Sequence, residues 1–158
     1  MAIDPQDFKD ALSQFGSGVT VVTTRDDAGM PVGLTVSAFC SVSLDPPLVL
    51  VSIDNRSHDA HAGLRASRAF AVSVLAEGQE EWSNRFAAAG ADKFAGVTLS
   101  TSRLGLVLVP GALAQIECRL YAELPGGDHT IYLGEVIWTA VRPGRPLLYQ
   151  ARSYRRLA

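Results

Sequence analysis

From Ala114 to Leu124 the chain alternates apolar and polar side chains. Ala114, Ile116, Cys118, Leu120, Ala122 and Leu124 stand against Gln115, Glu117, Arg119, Tyr121 and Glu123. Successive side chains of a strand point to opposite faces, so this period of two predicts a long half-buried strand. Partners for it follow on both sides. Pro125-Gly-Gly-Asp128 predicts a turn, Thr130 to Arg142 a second long strand, and Leu147-Leu-Tyr149 a short one after the turn at Pro143-Gly144. Upstream, Gly18-Val-Thr-Val-Val-Thr-Thr24 is β-branched, Asp26-Asp-Ala-Gly29 is a turn signal, and Pro31 to Ser43 reads as the returning strand. Asp45-Pro46-Pro47 breaks it, Leu48 to Ile53 reads as a strand buried on both faces, and Phe70 to Leu75 as another.

Helices are few. Asp4 can cap the first, with Pro5 at its first position, Phe8, Leu12 and Phe15 on one face and Gly16 ending it. A short helix follows Ser57 to about Ala66. A third spans Glu77 to Ala89, with Trp82 and Phe86 one turn apart. Gly90 to Leu104 carries no clear period. Short strands with helices between some of them predict a mainly β antiparallel barrel, because closure removes exposed sheet edges. The length suits a single domain over residues 1–158.

The formal net charge of -2 offers no general attraction to nucleic acid or an anionic membrane. The start, MAIDPQDF, lacks a signal-peptide core, and no apolar run approaches a bilayer span. Cys40 and Cys118 lie far apart among apolar residues, which predicts buried free thiols and a cytoplasmic location. Arg152, Arg155 and Arg156 read as a solvated basic tail.

Several chemistries are excluded by spacing. Gly16-Ser-Gly18 opens a strand, and Val21 stands where a dinucleotide fingerprint needs its third glycine. No phosphate loop and no nucleophile elbow is present. His58 and His61 are too few for a metal site and read as surface histidines; the metal expectation is none.

Three stretches carry chemistry. Asp54-Asn-Arg-Ser57 leads from a buried strand into a helix; with Ser57 as cap, free amides and the Arg56 guanidinium suit a phosphate, although a plain capped turn fits equally. Gly33-Leu-Thr-Val-Ser-Ala-Phe39 is a strand whose glycine and small hydroxyl residues would let the backbone approach a flat ring. Thr35 and Ser37 also fit the polar face of a strand. Gly126-Gly-Asp-His129 sets a titratable ring at a strand start, as a ligand contact or as a turn histidine in solvent.

Together with Phe15-Gly-Ser-Gly18, Ser41-Val-Ser-Leu-Asp-Pro-Pro47, Arg85-Phe-Ala87, Ile116-Glu-Cys118, Leu133-Gly-Glu-Val136 and Pro146-Leu-Leu-Tyr149, these stretches resemble the flavin reductase-like family over nearly the whole chain. The resemblance implies a six-stranded antiparallel split β-barrel with a few peripheral helices that pairs into a homodimer. It implies hydride transfer from NADH or NADPH to dissociable FMN or FAD, and release of reduced flavin to a partner flavin-dependent monooxygenase. Thr35, Val36, Ser37, Ser41, Asp54, Asn55, Arg56, Ser57, Phe86 and Ala87 would hold the flavin. His129, Arg152 and Tyr154 would seat the nicotinamide. No residue is implied as acid or base. A non-catalytic flavin- or haem-binding carrier or sensor is the alternative, with a protein-interaction module as a further rival. Two departures stand out: Gln150-Ala-Arg-Ser-Tyr154 is bulkier than the glycine-rich tail of many relatives, and Val107 replaces a proline before Leu108.

Overall fold

The Asp4 side chain accepts a hydrogen bond from the Gln6 amide at 2.6 Å and starts helix α1 (Pro5–Ser13). The helix stops at a Gln14 cap, before the expected Gly16, and none of its residues is buried. This computed structural model describes residues 2–90 and 92–157. After β1 (Ser17–Gly18), β2 (Thr20–Arg25) and β3 (Pro31–Val36) form a hairpin across the expected turn.

The sequence predicts one strand from Pro31 to Ser43; the structure breaks it. The Phe39 amide donates to the Ser37 carbonyl at 2.9 Å, and the chain bends into β4 (Phe39–Leu44). Then come β5 (Pro47–Asp54), α2 (His58–Ser67), β6 (Ala69–Val74) and α3 (Glu80–Ala87). The stretch without a period folds mostly as loop, with a small hairpin of β7 (Ser100–Thr101) and β8 (Val107–Leu108). The two long strands are β9 (Ala114–Gly126) and β10 (His129–Val141), and the chain ends in β11 (Leu148–Gln150) and β12 (Ser153–Arg155).

Seven strands form one antiparallel sheet in the order β3-β2-β6-β9-β10-β5-β4, so the alternating segment is the central strand. The expected count of six is corrected to seven, and the sheet is not closed: no pairing joins β3 to β4. One physical event accounts for both differences. The bend at Ser37-Ala38 divides one strand into two, and the halves lie at opposite edges of a strongly curled sheet. The curl wraps a core of Val22, Val51, Ile53, Leu64, Phe70, Val72, Cys118 and Tyr132. Burying a side chain such as Leu64 or Phe70 stabilises by about 1.5–3 kcal/mol.

Gly134 lies in the expected Gly-Glu-Val strand because a Cβ there would enter the Phe70 ring. The strict alternation of β9 fails in both of its sets: Leu124, in the apolar set, is exposed, and Glu117, in the polar set, is not. Glu117 is fully buried, because the segment between β7 and β8 covers the polar face there. Its Oε1 accepts from the Leu104 amide at 2.7 Å and from the Ser102 hydroxyl; its Oε2 is buried without a partner. The cysteine expectation is half right: Cys118 is buried, and burial pushes its thiol up to about 12, whereas Cys40 is exposed on edge strand β4. No described helix is long and apolar enough to cross a membrane.

Candidate functional site

The free edge of β3 is the floor of the site. Its even residues Val32, Leu34 and Val36 turn into the core that includes Ala60 and Leu64 of α2. Its odd residues face α3: a Cβ on Gly33 would lie 2.6 Å from the Phe86 ring, and the Thr35 hydroxyl donates to the Ser83 carbonyl at 2.6 Å. Helices therefore flank β3 on its two faces, and the backbone edge lies between them at the bottom of a trough. The trough encloses about 1140 Å³ and is lined by β3, the start of α2 and the segment from Phe86 to Phe94.

That edge has unpaired backbone groups. The Gly33 carbonyl accepts from Lys93 Nζ at 3.0 Å, so it points away from β2. Backbone direction repeats every second residue in a strand, so the Thr35 N–H and C=O also point outward. Val36 is turned the other way, with its side chain buried and its carbonyl accepting from the Thr20 hydroxyl at 2.5 Å. Thr35 thus turns its backbone N–H and C=O toward the trough. The missing Cβ of Gly33 makes room for Phe86, which packs edge-on against Phe94 at 5.2 Å.

The polar turn at the head of α2 forms the second part. Asp54 Oδ2 holds Arg56 at 2.6 Å, and its Oδ1 accepts from the Arg56 backbone amide at 2.8 Å. Both bonds, the side-chain one foremost, keep the Asp54 carboxyl well below the usual carboxylate range. Ser57 occupies the N-cap position, but its side chain makes no capping bond, contrary to expectation. The His58 amide already donates to the Arg56 carbonyl at 2.9 Å, so the Asp59 and Ala60 amides and the positive end of the helix dipole are what the first turn of α2 leaves to meet an anion.

This turn is fastened to the Gly-Asp-His turn. The Asn55 amide donates to the Asp128 carbonyl at 3.0 Å, and the Thr130 hydroxyl donates to Asn55 Oδ1 at 2.7 Å. His129 stands opposite Asp54 in the β5–β10 register, with its Nδ1 2.7 Å from Asp128. His61, expected at the surface, is buried beneath the same turn. Its Nε2 donates to the Asp54 carbonyl at 2.9 Å, and its Nδ1 lies 2.6 Å from the Tyr132 hydroxyl. A histidine on the inward face of a short helix was the available signal. His58 is exposed, as expected.

The trough thus gathers Thr35, Arg56, Ser57, Phe86 and Ala87, with Asp54, Asn55 and His129 joined to its rim. Ser37 and Ser41 are exposed outside it, Ser41 on the opposite sheet edge. Arg152 pairs with Asp10 of α1 at 2.6 Å, and the Tyr154 hydroxyl lies 2.9 Å from Ser83 Oγ on α3. The tail is therefore tied to α1 and α3 through Arg152 and Tyr154, while Arg152 itself stays exposed as expected. Ala151 and Arg152 form the β11–β12 turn with φ of 48° and 61°. That left-handed region favours glycine, which is what the tail of many relatives would supply.

These features fit a flat heterocycle bearing a phosphate: backbone donors and acceptors at a strand edge, and a guanidinium beside open helix amides. Comparison with known proteins gives the family. Residues 12–158 match the family described as flavin reductase like domain. The chain is 42% identical over 154 residues to the reductase subunit HsaB of a flavin-dependent monooxygenase of Rhodococcus jostii, covering 97% of this chain and 78% of that one. It is 41% identical over 151 residues to the FMN reductase (NADH) SmoA of Agrobacterium fabrum, covering 96% and 85%. Its structure is similar to the NADH:FAD oxidoreductase SgcE6 of Streptomyces globisporus in complex with NAD and FAD fragments, with a TM-score of 0.91, 39% identity and coverage of 100% and 97%. The chain belongs to the flavin reductase like domain family.

Proposed function

We propose that the protein is an NADH:flavin oxidoreductase that supplies reduced flavin to a monooxygenase. The observation that carries this reading is the trough floored by the free β3 edge, with the Arg56 turn on its α2 wall. It stands beside relatives named as monooxygenase reductase subunits and as an FMN reductase using NADH.

The flavin supplies the chemistry of accepting a hydride from the nicotinamide. The protein's share is position and electrostatics. The outward Thr35 amide and carbonyl orient the ring edge, and the Thr35 side chain is kept out of the way by its bond to Ser83. Asp54, Asn55, Arg56 and Ser57 hold the phosphate end. Phe86 fixes the floor from behind, and Ala87 leaves the wall open. His129, on the rim, meets the nicotinamide donor. Because the trough is open and no glycine-rich phosphate fingerprint encloses the ligand, FMN or FAD enters and leaves as a substrate, with NADH as donor.

Three finer readings go with this. The chain acts as one domain and pairs into a homodimer in the cytoplasm. Ser37 and Ser41 are exposed outside the trough, and Phe8, Leu12, Val42 and Leu44 form exposed apolar surface. A second copy covering that surface would bring Ser37, Ser41, Arg152 and Tyr154 to a flavin held between subunits.

The test is direct. Purified protein with NADH and excess FMN should consume the nicotinamide absorbance in a flavin-dependent manner. Flavin binding without NADH or NADPH oxidation would leave a carrier in place of an enzyme. Sedimentation giving a monomer at micromolar concentration would remove the dimer.

A further inference from the structure

Lys93 has no part in the sequence reading, and it lines the trough. Its Nζ donates to the Gly33 carbonyl at 3.0 Å and to the Phe86 carbonyl at 2.9 Å. An ammonium has three donors, so one proton remains. The two bonds hold the charge at the junction of the β3 edge and the end of α3, opposite the α2 wall that bears Arg56.

The charges of the trough show what this ammonium is needed for. Among the described lining residues, Asp26, Asp27, Asp59 and Asp92 are acidic, and Arg56 and Lys93 are the lysine and arginine cations. Asp26 Oδ1 accepts from the Met30 amide and Asp92 Oδ1 from the Phe94 amide, so both serve their own turns. Arg56 is already held by the Asp54 carboxylate, and that pair carries no net charge. Lys93 forms no ion pair among the described residues. A phosphate dianion in a trough with this many carboxylates needs a cation that is not already compensated. Partial burial lowers the Lys93 pKa more than the Asp59 carboxylate raises it, a cost that a bound anion would offset.

We propose that Lys93 is a phosphate-binding residue of this trough, facing Arg56 across the ligand, and that it sets the preference for phosphorylated over unphosphorylated flavin. The proposal rests on the flavin reading above. Fastening β3 to α3 is its second task, and the test separates the two.

Riboflavin and FMN differ only in the phosphate. Their dissociation constants are measured by flavin fluorescence quenching for wild type, Lys93→Met and Lys93→Arg, at low and high salt. Lys93→Met should weaken FMN about tenfold at low salt. It should leave riboflavin within about twofold, and the FMN difference should shrink at high salt. Lys93→Arg should retain most FMN affinity. Should Lys93→Met fail to fold, Lys93→Gln replaces it, since its amide still donates to a carbonyl but carries no charge. Equal weakening of riboflavin and FMN would show a purely structural tie and overturn the proposal. Unchanged FMN affinity would overturn it as well. Wild-type protein that binds neither compound would instead overturn the flavin reading itself.

Discussion

Asp54 and Arg56, two residues apart, clasp each other. The guanidinium reaches the Asp54 carboxylate through both Nε and Nη2, at 3.0–3.1 Å and 2.6 Å, while its own backbone amide bonds the same carboxylate. The clasp leaves the guanidinium exposed but aimed. Arg56→Ala should weaken FMN by about three- to tenfold and riboflavin hardly at all, read by fluorescence titration. The folded pKa of Asp54 lies below its unfolded value, so the clasp adds stability above the unfolded pKa and loses it as pH falls through the folded one. Asp54→Asn should therefore lower stability at neutral pH, and its gap from wild type should narrow as pH drops below the ordinary carboxylate range. A gap independent of pH would contradict the assignment.

His129 is tied to the Asp54–Ser57 turn through backbone register, and its ring meets its neighbour Asp128. His129→Ala should raise the KM for NADH about tenfold or less, an effect the size of one or two lost hydrogen bonds. The flavin dissociation constant should move less than twofold. Equal losses on both ligands would make the Gly-Asp-His turn a structural feature.

Gly33 has no room for a side chain. Gly33→Ala sets a methyl 2.6 Å from Phe86 Cε1 and 3.1 Å from Phe94 Cζ. Overpacking of this kind costs about 1–3 kcal/mol. Chemical denaturation should show that loss, together with weaker flavin binding, because the displaced Phe86 lies directly behind the β3 edge. Full stability with normal binding would refute the packing role.

Glu117 holds down the β7–β8 segment from a fully buried position. Glu117→Leu strands the Leu104 amide and the Ser102 hydroxyl and should cost about 2–4 kcal/mol. Glu117→Gln keeps an acceptor for them and should cost less. Urea melts of both variants decide it; a leucine variant as stable as wild type would mean that the segment is held by Leu106 and Leu108 alone.

How much of this was legible in the chain depends on the range of the forces involved. Period two marked β9, and β-branched runs and turn residues marked most other strands, because those signals reside in neighbouring residues. The cap of α1 was equally local, as was the acidic-basic turn from Asp54 to Ser57. What misled was burial by remote segments. Glu117 looked solvent-facing until β7 and β8 covered it, His61 looked exposed until Tyr132 met it, and Cys40 looked buried although it lies on an edge strand.

By itself, then, the sequence determined a mainly β chain, its turns, and a family resemblance pointing to flavin, since side-chain alternation and turn chemistry act over a few residues. Only the tertiary structure decided that the Pro31–Ser43 stretch breaks at Ser37, that β3 becomes a free edge between two helices, and that Lys93 caps that edge. Those outcomes depend on sheet curl and on contacts between residues dozens of positions apart, which no local pattern encodes.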